Sequence, residues 1–361
     1  MTAMFARLAL AGLLLAAAPA VAAEETWPNQ SEGDYIVKDY KFADGETLAE
    51  LKLHYITLGT PRRNAAGGIV NGVLLLQGNT GTGRNWLRPT LAPELFKPGQ
   101  PLDAGKYFIV IPDQLGRGGS SKPSDGLKGR FPHYRYRDMV DSVHRLVADG
   151  LRIAHLHLIV GSSLGCMHGF LWAEMYPDLM DGVVGLSCQP VQISGRNYIL
   201  RHAAAEAIRH DPDWNNGDYT KNPTHYIYSA AGGSFMPESA ARIQEQAETA
   251  AAAQKLYDER VARLAKGDAN NSLWAIESIL DYNPEPDLPK IKAHVLLINT
   301  VEDIANPPEL GTVERGMKKI KHGKYVLIPY SKATHGHFTH YYAAVWKPYL
   351  VEWLKTVPKG P

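Results

Sequence analysis

Ser163 stands where a serine hydroxyl could become a nucleophile. It is the central residue of a Gly-x-Ser-x-Gly pattern at positions 161–165, which follows the apolar run 157–160 and opens a second apolar stretch. A serine on a sharp strand-to-helix turn exposes its hydroxyl above a sheet, and the flanking glycines let strand and helix approach closely. Ser162 is the neighbouring serine, but the pattern centres on Ser163, which we predict to be the nucleophile.

A serine hydroxyl is a weak nucleophile until a base takes its proton, and histidine is the commonest base. Three histidines stand near the end of the chain, namely His335, His337 and His340. His337 follows a glycine and directly precedes a predicted helix, which leaves its ring room to reach back toward the serine. We therefore predict His337 as the base, with His335 as the main alternative and His340 as a residue on a helix face.

The imidazole of such a base needs a carboxylate that orients it and stabilises its charged form. The loop after the predicted strand 294–298 offers two acids, Glu302 and Asp303. Folds that place the nucleophilic serine on a strand-to-helix turn have the chain order serine, acid, histidine, and their acid is either aspartate or glutamate. We predict Asp303 as the acid and leave Glu302 open.

Acyl chemistry at Ser163 also needs N–H donors for the developing oxyanion. The backbone N–H of Leu164, directly after the nucleophile, is the first candidate. The glycine-rich loop 77–83 follows another apolar strand, and from it we predict the backbone N–H of Asn79 as the second donor. This loop matches neither phosphate-binding pattern, GxxxxGK[ST] or GxGxxG, so a dinucleotide site is disfavoured.

The elements that must position these residues alternate between short apolar strands and amphipathic helices. This alternation predicts an α/β fold, with a mostly parallel central sheet and helices on both faces. The rhythm breaks over residues 191–280, which are helical and polar and predict a helical lid insertion. The predicted organisation is a signal peptide at 1–22, a first part of the core at 23–190, the lid at 191–280 and a second part of the core at 281–361.

The N-terminus is typical of a secretory signal peptide. Arg7 precedes the short apolar run 8–18, and the small-x-small pattern at 20–22 predicts cleavage before Ala23 or Glu24. We therefore expect a periplasmic or secreted protein. The net charge of +1 and the lack of a basic stripe argue against nucleic-acid binding, and no later run of 18 apolar residues predicts a membrane span in the mature chain.

The two cysteines, Cys166 and Cys188, could lie close together, since one is in the predicted elbow helix and the other ends the next strand. Export would permit a disulfide, but buried free cysteines are also common, so the sequence leaves the pairing open. Neither CxxC nor HExxH is present, and we predict no metal and no cofactor. The expected partner is a small-molecule acyl substrate, and the oligomeric state stays open.

These motifs together resemble the α/β-hydrolase superfamily over nearly all of residues 33–357. Within it the chain is similar to the homoserine O-acetyltransferase-like branch, as shown by the elbow 161–167, Asp303 four residues before the Pro-Pro-Glu of 307–309, and Gly336-His337. The resemblance implies that Ser163, Asp303 and His337 are nucleophile, acid and base. It also implies acyl transfer through a seryl ester, with no metal or redox cofactor.

Two positions differ from the acetyltransferase pattern. Phe338 stands where those enzymes usually carry an aspartate that helps hold the amino-acid substrate, and residues 114–121 replace their usual loop with its Thr-Thr-Gly-Pro run. An exported enzyme would also meet water in excess and almost no acyl-CoA. We therefore predict a serine hydrolase, esterase-like, that cleaves an ester or related acyl bond, with an O-acyltransferase as the alternative.

Overall fold

The computed structural model describes residues 26–79 and 81–358. The predicted signal peptide at 1–22 and the predicted mature N-terminus lie outside these residues, as does Thr80. None of the helices within the described ranges is long and apolar enough to cross a membrane.

The described residues form one eight-stranded sheet with the strand order β1-β2-β4-β3-β5-β6-β7-β8. The pairs β1–β2 and β2–β4 are antiparallel and all other pairs are parallel. The sheet confirms the predicted fold class. Its strands are β1 (Ser31–Lys41), β2 (Thr47–Leu58), β3 (Gly72–Leu76), β4 (Phe108–Pro112), β5 (Leu156–Ser162), β6 (Met180–Leu186), β7 (His294–Thr300) and β8 (Gly323–Ile328).

The central strands are apolar along their whole length because both faces of the sheet are covered. Every residue of β3, β4 and β5 is buried, as expected for parallel strands between two helical layers. Alternate side chains enter opposite cores, so that Leu74 joins one cluster while Val73 and Leu75 join the other.

The helices fall into two layers and an insertion. Helices α1 and α10 pack on one face of the sheet, and α2, α3 and α9 pack on the other. Helices α4 to α8 all lie between β6 and β7 in sequence. The bounds are α1 (Ala92–Phe96), α2 (Tyr136–Arg145), α3 (Leu164–Met175), α4 (Gly195–Arg209), α5 (His225–Gly233), α6 (Ala240–Gln246), α7 (Ala250–Leu264), α8 (Ala269–Glu277), α9 (Thr312–Met317) and α10 (Ala343–Leu354).

The insertion α4–α8 is joined to the core through buried contacts. The Trp274 indole N–H on α8 donates to the carbonyl oxygens of Phe131 and Pro132, at 3.0 and 3.1 Å. Tyr226 and Ile227 of α5 are buried in the same cluster as α2 and α3. These contacts continue the core beneath the insertion, although the predicted domain boundaries themselves stay a prediction.

The sequence predicts helices over 136–149, over 308–320 and from Phe338 onward, and all three differ from the observed helices at their ends. The helix expected over 308–320 is a 3₁₀ turn, Pro308–Leu310, and then α9, because Gly311 between them is left-handed with φ 61°. The last helix, expected from Phe338, begins at Ala343 after a separate 3₁₀ turn, Phe338–Tyr341, because Tyr342 leaves helical geometry. The helix expected over 136–149 continues past α2 as a π-helical turn to Gly150.

Glu174 is a buried carboxyl group on α3. Its side chain is 3% exposed, and among the described residues neither carboxyl oxygen has a hydrogen-bond partner. The nearest cation is Arg137, whose Nη2 lies 3.9 Å away. Burial, only partly opposed by Arg137, raises the pKa of Glu174 to about 8.

The unfolded chain should release the Glu174 proton near the usual glutamate pKa of about 4.3, whereas the folded chain holds it to about pH 8. Between these values the folded state binds more protons, so stability should fall as pH rises, by at most about 1.4 kcal/mol per pH unit. Glu174→Gln removes this dependence. Its Tm relative to the wild type should therefore rise between pH 5 and pH 8.

Thermal unfolding at several pH values measures this difference, with Glu50→Gln, an exposed change on β2, as the matched control. A Tm difference between Glu174→Gln and the wild type that stays constant from pH 5 to pH 8 would show that Glu174 is ionised in the fold.

Candidate active site

Ser163 sits on a sharp turn between β5 and α3 with a backbone that serine seldom adopts, φ 52° and ψ −113°. The glycines on either side permit this turn. A Cβ added at Gly161 would lie 2.1 Å from the carbonyl oxygen of Gly165, and one added at Gly165 would lie 2.2 Å from that of Leu76. Only glycine fits these two positions, so the five-residue pattern has a direct steric cause.

The structure brings together the three residues that the sequence singles out as a triad. His337 Nε2 lies 2.8 Å from Ser163 Oγ, and His337 Nδ1 lies 2.9 Å from Asp303 Oδ2. Because a carboxylate accepts only, the ring N–H belongs on Nδ1, which leaves Nε2 free to accept the serine proton. This continuous chain of hydrogen bonds has the geometry of an activated nucleophile.

Asp303 is fully buried, and its carboxylate accepts three hydrogen bonds. Besides His337, the Ala305 N–H donates at 3.0 Å and the Asn306 side-chain amide at 2.9 Å. Burial acts to raise the pKa of Asp303, but His337 and these donors outweigh it and hold the pKa below its usual value. The carboxylate is therefore ionised and fixed in orientation.

Glu302, the alternative acid, forms its hydrogen bonds with groups other than the His337 ring. One carboxylate oxygen accepts the Gly336 N–H at 3.0 Å, and the other accepts the Ser239 hydroxyl at 2.7 Å. Burial acts to raise the pKa of Glu302, but hydrogen bonds from Thr334, Ser239 and Gly336 outweigh it and hold the pKa below its usual value. Glu302 thus links the histidine loop to the segment before α6.

The two other histidines are engaged away from the serine. The His335 ring stacks on Tyr342 with their centroids 3.7 Å apart. His340, expected on a helix face, is instead buried in the 3₁₀ turn, where its Nδ1 donates to the carbonyl oxygen of His337 at 2.7 Å. Burial lowers the pKa of His340 to about 3, so its ring is neutral.

Three contacts from distant parts of the chain hold the His337 backbone, and sequence reasoning missed all of them. The Ser187 hydroxyl donates to the His337 carbonyl oxygen at 2.9 Å, and the Thr300 hydroxyl donates to that of Gly336 at 3.0 Å. The His337 N–H donates to the carbonyl oxygen of Pro237 in the insertion, also at 3.0 Å. Ser187 and Thr300 follow and end strands β6 and β7, which is the only sequence signal for them.

The two predicted oxyanion donors flank the nucleophile. Leu164 is the first residue of α3, and a Cβ added at Gly78, next to Asn79, would lie 3.3 Å from the Cβ of Ser163. Within the described ranges no acceptor is recorded for the backbone N–H of Leu164 or of Asn79. The Asn79 side-chain oxygen accepts a hydrogen bond from Arg117, a contact that sequence reasoning did not predict.

A cavity of about 820 Å³ opens above Ser163. Its wall is formed by the elbow, the histidine loop and the insertion, and Phe338 lies in it. Cys188 also lies in this wall and forms a disulfide with Cys166, with their Cα atoms 6.0 Å apart. The pairing that the sequence leaves open is thus present, and it ties the start of α3 to the segment after β6.

The described residues contain one group of three side chains spaced as metal ligands, Asp211, Asp213 and His225, in the insertion. The Asp211 carboxylate already accepts the N–H groups of Tyr226 and Asp213 and lies 3.3 Å from His225 Nδ1. These contacts account for the group as a cap on the start of α5, and none of its members lines the cavity above Ser163.

Comparison with known proteins agrees with this geometry. A family model described as the alpha/beta hydrolase fold matches residues 71–225. The described residues thus have the α/β-hydrolase fold. The chain is similar to a probable acyltransferase of Methanothermobacter thermautotrophicus, with 26% identity over 77% of this chain and 84% of that protein.

Within this fold the chain resembles the homoserine O-acetyltransferase-like branch, as the elbow and the Gly336-His337 pair predict. A homoserine O-acetyltransferase of Geotalea daltonii is 30% identical, but the match spans only 54% of this chain and 55% of that protein. The solved homoserine O-acetyltransferase from Bacillus anthracis superimposes with a TM-score of 0.77 at 21% identity, covering 92% of this chain and 99% of that one.

An acetylester hydrolase from Corynebacterium glutamicum superimposes equally well, with a TM-score of 0.76 at 19% identity over 90% of this chain and 96% of that one. At such identities the superpositions establish the fold, which transferases and hydrolases share. The type of reaction must therefore be argued from the site.

The hydrogen bonds of the two neighbouring acids predict different effects on the reactivity of Ser163. Asp303→Asn should slow labelling of Ser163 by a fluorophosphonate probe by about 10³-fold or more, since the amide no longer fixes the ring tautomer that accepts the proton. Glu302→Gln, the matched change one residue away, should cost about tenfold or less, because Glu302 holds only the backbone of the loop. Labelling rates followed by mass spectrometry measure both, and a larger loss in Glu302→Gln would assign the acid to Glu302.

Proposed function

We propose that this protein is an exported serine hydrolase that cleaves an ester through a seryl acyl-enzyme. The observation that carries the proposal is the continuous hydrogen-bonded series Ser163–His337–Asp303, of which Ser163 and His337 line the cavity. A strained serine, a base that faces it and a buried carboxylate behind the base are the parts that nucleophilic acyl chemistry requires.

In the first half of the reaction His337 Nε2 takes the hydroxyl proton as Ser163 Oγ attacks the ester carbonyl carbon. The carbonyl oxygen becomes an oxyanion, and we assign its stabilisation to the backbone N–H groups of Leu164 and Asn79. The tetrahedral species collapses when the bond to the alcohol oxygen breaks. The alcohol leaves with the proton from His337, and the acyl group stays on Ser163.

In the second half water takes the place of the alcohol. His337 removes a proton from the water, whose oxygen attacks the acyl carbon, and collapse returns the proton to Ser163 Oγ. The carboxylic acid product then leaves. Asp303 stays ionised throughout, since its hydrogen bonds favour the carboxylate, and it stabilises the charged imidazole.

Whether water or another acceptor attacks depends on what the cavity can hold. The names of the relatives favour acyl transfer, so an O-acyltransferase of the homoserine type is the second candidate. An amino-acid acceptor carries an ammonium group that needs a carboxylate, and the cavity offers Phe338 beside the base where related acetyltransferases present an aspartate. A phenyl ring cannot accept that hydrogen bond, and this favours water.

The reaction class can be measured directly on the purified mature protein. We expect turnover of p-nitrophenyl acetate, but no comparable formation of O-acetylhomoserine from homoserine and acetyl-CoA, because Phe338 does not hold the ammonium group of the acceptor in place against water. Ser163→Ala should retain only the residual rate, about 10³–10⁴-fold over water, that binding and oxyanion stabilisation alone provide.

Release of CoA and formation of O-acetylhomoserine should be followed in the same reaction, with Ser162→Ala as the matched neighbour of Ser163→Ala. Efficient O-acetylhomoserine formation with little hydrolysis would replace the hydrolase by the acyltransferase. Near wild-type turnover by Ser163→Ala would remove the assigned nucleophile.

Export rests on the predicted signal peptide, and the Cys166–Cys188 disulfide supports it, since disulfides persist in oxidising compartments. We expect the protein, expressed with its full N-terminus in a Gram-negative host, to be recovered from the periplasm or medium with Ala23 or Glu24 as its first residue. N-terminal sequencing checks this. Recovery in the cytoplasm with Met1 intact would refute export and would also remove the argument that acyl-CoA is scarce.

A further inference from the structure

The wall of the cavity above Ser163 carries an excess of positive charge. Among the residues that the structure describes, five arginines and two glutamates belong to it, and no aspartate or lysine does. The two glutamates have partners, since Glu238 pairs with Arg260 and Glu259 lies 3.9 Å from Lys255. Arginines therefore remain in this wall without a carboxylate of their own.

Arg201 is partly buried, and unlike the other two arginines of the wall that are withdrawn from water, Arg242 and Arg260, it is not paired with a glutamate. It lies on α4, and its Nε donates to the side-chain oxygen of Asn197 at 2.8 Å. The Asn197 amide in turn donates to the carbonyl oxygen of Ala305, two residues after Asp303, at 3.0 Å. Within the described ranges no carboxylate lies within 4.0 Å of the Arg201 guanidinium. Its neutral partner fixes the orientation of the guanidinium while leaving its charge uncompensated.

A second guanidinium lies behind the same part of the wall. Arg117 donates to the side chain of Asn79, which lines the cavity, and it too has no carboxylate within 4.0 Å among the described residues. Arg117 belongs to the loop 114–121 that distinguishes this sequence from the acetyltransferase pattern. Burial lowers the pKa of Arg117, and the nearby charge of Arg201 lowers it further.

A guanidinium charge that is partly withdrawn from water and has no carboxylate partner is costly to keep in a fold. A ligand that brings a negative charge to it would supply the missing partner. A guanidinium binds a carboxylate with two parallel, charge-assisted hydrogen bonds, which gives both affinity and orientation.

We infer that Arg201, supported by Arg117, binds a carboxylate of the substrate, so that this enzyme acts on anionic esters. The inference rests on the proposed ester hydrolysis and specifies its substrate class. The carboxylate belongs either to the acyl chain or to the alcohol, since both parts of an ester held at Ser163 lie in the same cavity.

Two pairs of esters separate these sources and isolate the charge. Mono-p-nitrophenyl adipate carries a carboxylate on the acyl chain, and p-nitrophenyl adipamate is its neutral amide. The ester 4-carboxyphenyl butyrate carries a carboxylate on the leaving group, and 4-carbamoylphenyl butyrate is its neutral amide. The wild type should prefer the anionic member of at least one pair by about tenfold or more in kcat/KM.

Arg201→Gln should reduce this preference by about 10- to 100-fold, the usual loss for a hydrogen bond to a charged group. Arg196→Gln is the matched control, because Arg196 lies on the same helix, is exposed and donates to the carbonyl oxygen of Ile304. It removes the same charge and should leave the ratio of the two rates unchanged. If Arg201→Gln lowers the ratio of kcat/KM for the anionic ester to that for its neutral amide in only one pair, that pair identifies the part of the substrate that carries the carboxylate.

The outcomes distinguish this inference from the proposed function. Turnover of the neutral esters with no preference for the anionic ones, or an equal loss on both in Arg201→Gln, would overturn the anion site and leave the hydrolase intact. If no ester is cleaved, titration calorimetry with adipate on Ser163→Ala, with and without Arg201→Gln, still decides. Binding that weakens with Arg201→Gln supports the site, and equal or absent binding of adipate refutes it.

Discussion

The site depends on one close approach, that of the first turn of α3 to the ends of β5 and β3. Strand β5 lies between two parallel neighbours, and the chain turns from it into α3 at Ser163 through a backbone that serine normally avoids. Such a conformation costs of order 1–3 kcal/mol and persists where the surroundings determine it. The Ser163 N–H donates to the carbonyl oxygen of Leu186, and the Met167 N–H donates to that of Ser163, which fixes the turn from both sides.

The polar groups of the site lie at one edge of the sheet. The carboxyl ends of parallel strands meet at the same edge, where the crevice of an open α/β sheet binds its ligands. Asn79 follows β3, Ser163 follows β5, Ser187 follows β6, Asp303 follows β7 and His337 follows β8. Each contributes a polar group, so the site is built from five separate parts of the chain, and only the elbow is a local motif.

The sequence is informative where the cause is local. Buried strands appear as apolar runs, and the elbow appears as two glycines whose Cβ atoms would clash with backbone 2.1–2.2 Å away. The hydrogen bonds that hold His337 are not readable in this way, because Ser187 and Thr300 are ordinary residues until the fold brings them beneath the loop. The same holds for the start of the last helix, where Tyr342 leaves helical geometry as the chain turns around the buried His340.

In the proposed function, the division between β-strands and insertion also separates chemistry from recognition. Ser163 and Asp303 follow strands of the sheet, whereas the insertion contributes Arg201 to the cavity wall and contacts the His337 loop through the carbonyl oxygen of Pro237. The insertion covers the cavity, and its Pro237 carbonyl oxygen also accepts a hydrogen bond from the His337 N–H. The same segment therefore helps to orient His337. An insertion that changed to recognise another substrate would have to preserve the Pro237 and Ser239 contacts, while the rest of its cavity wall could vary. One sheet edge can then serve hydrolases and transferases alike, which is why the fold alone leaves the acceptor undecided and the side chains of the wall must decide it.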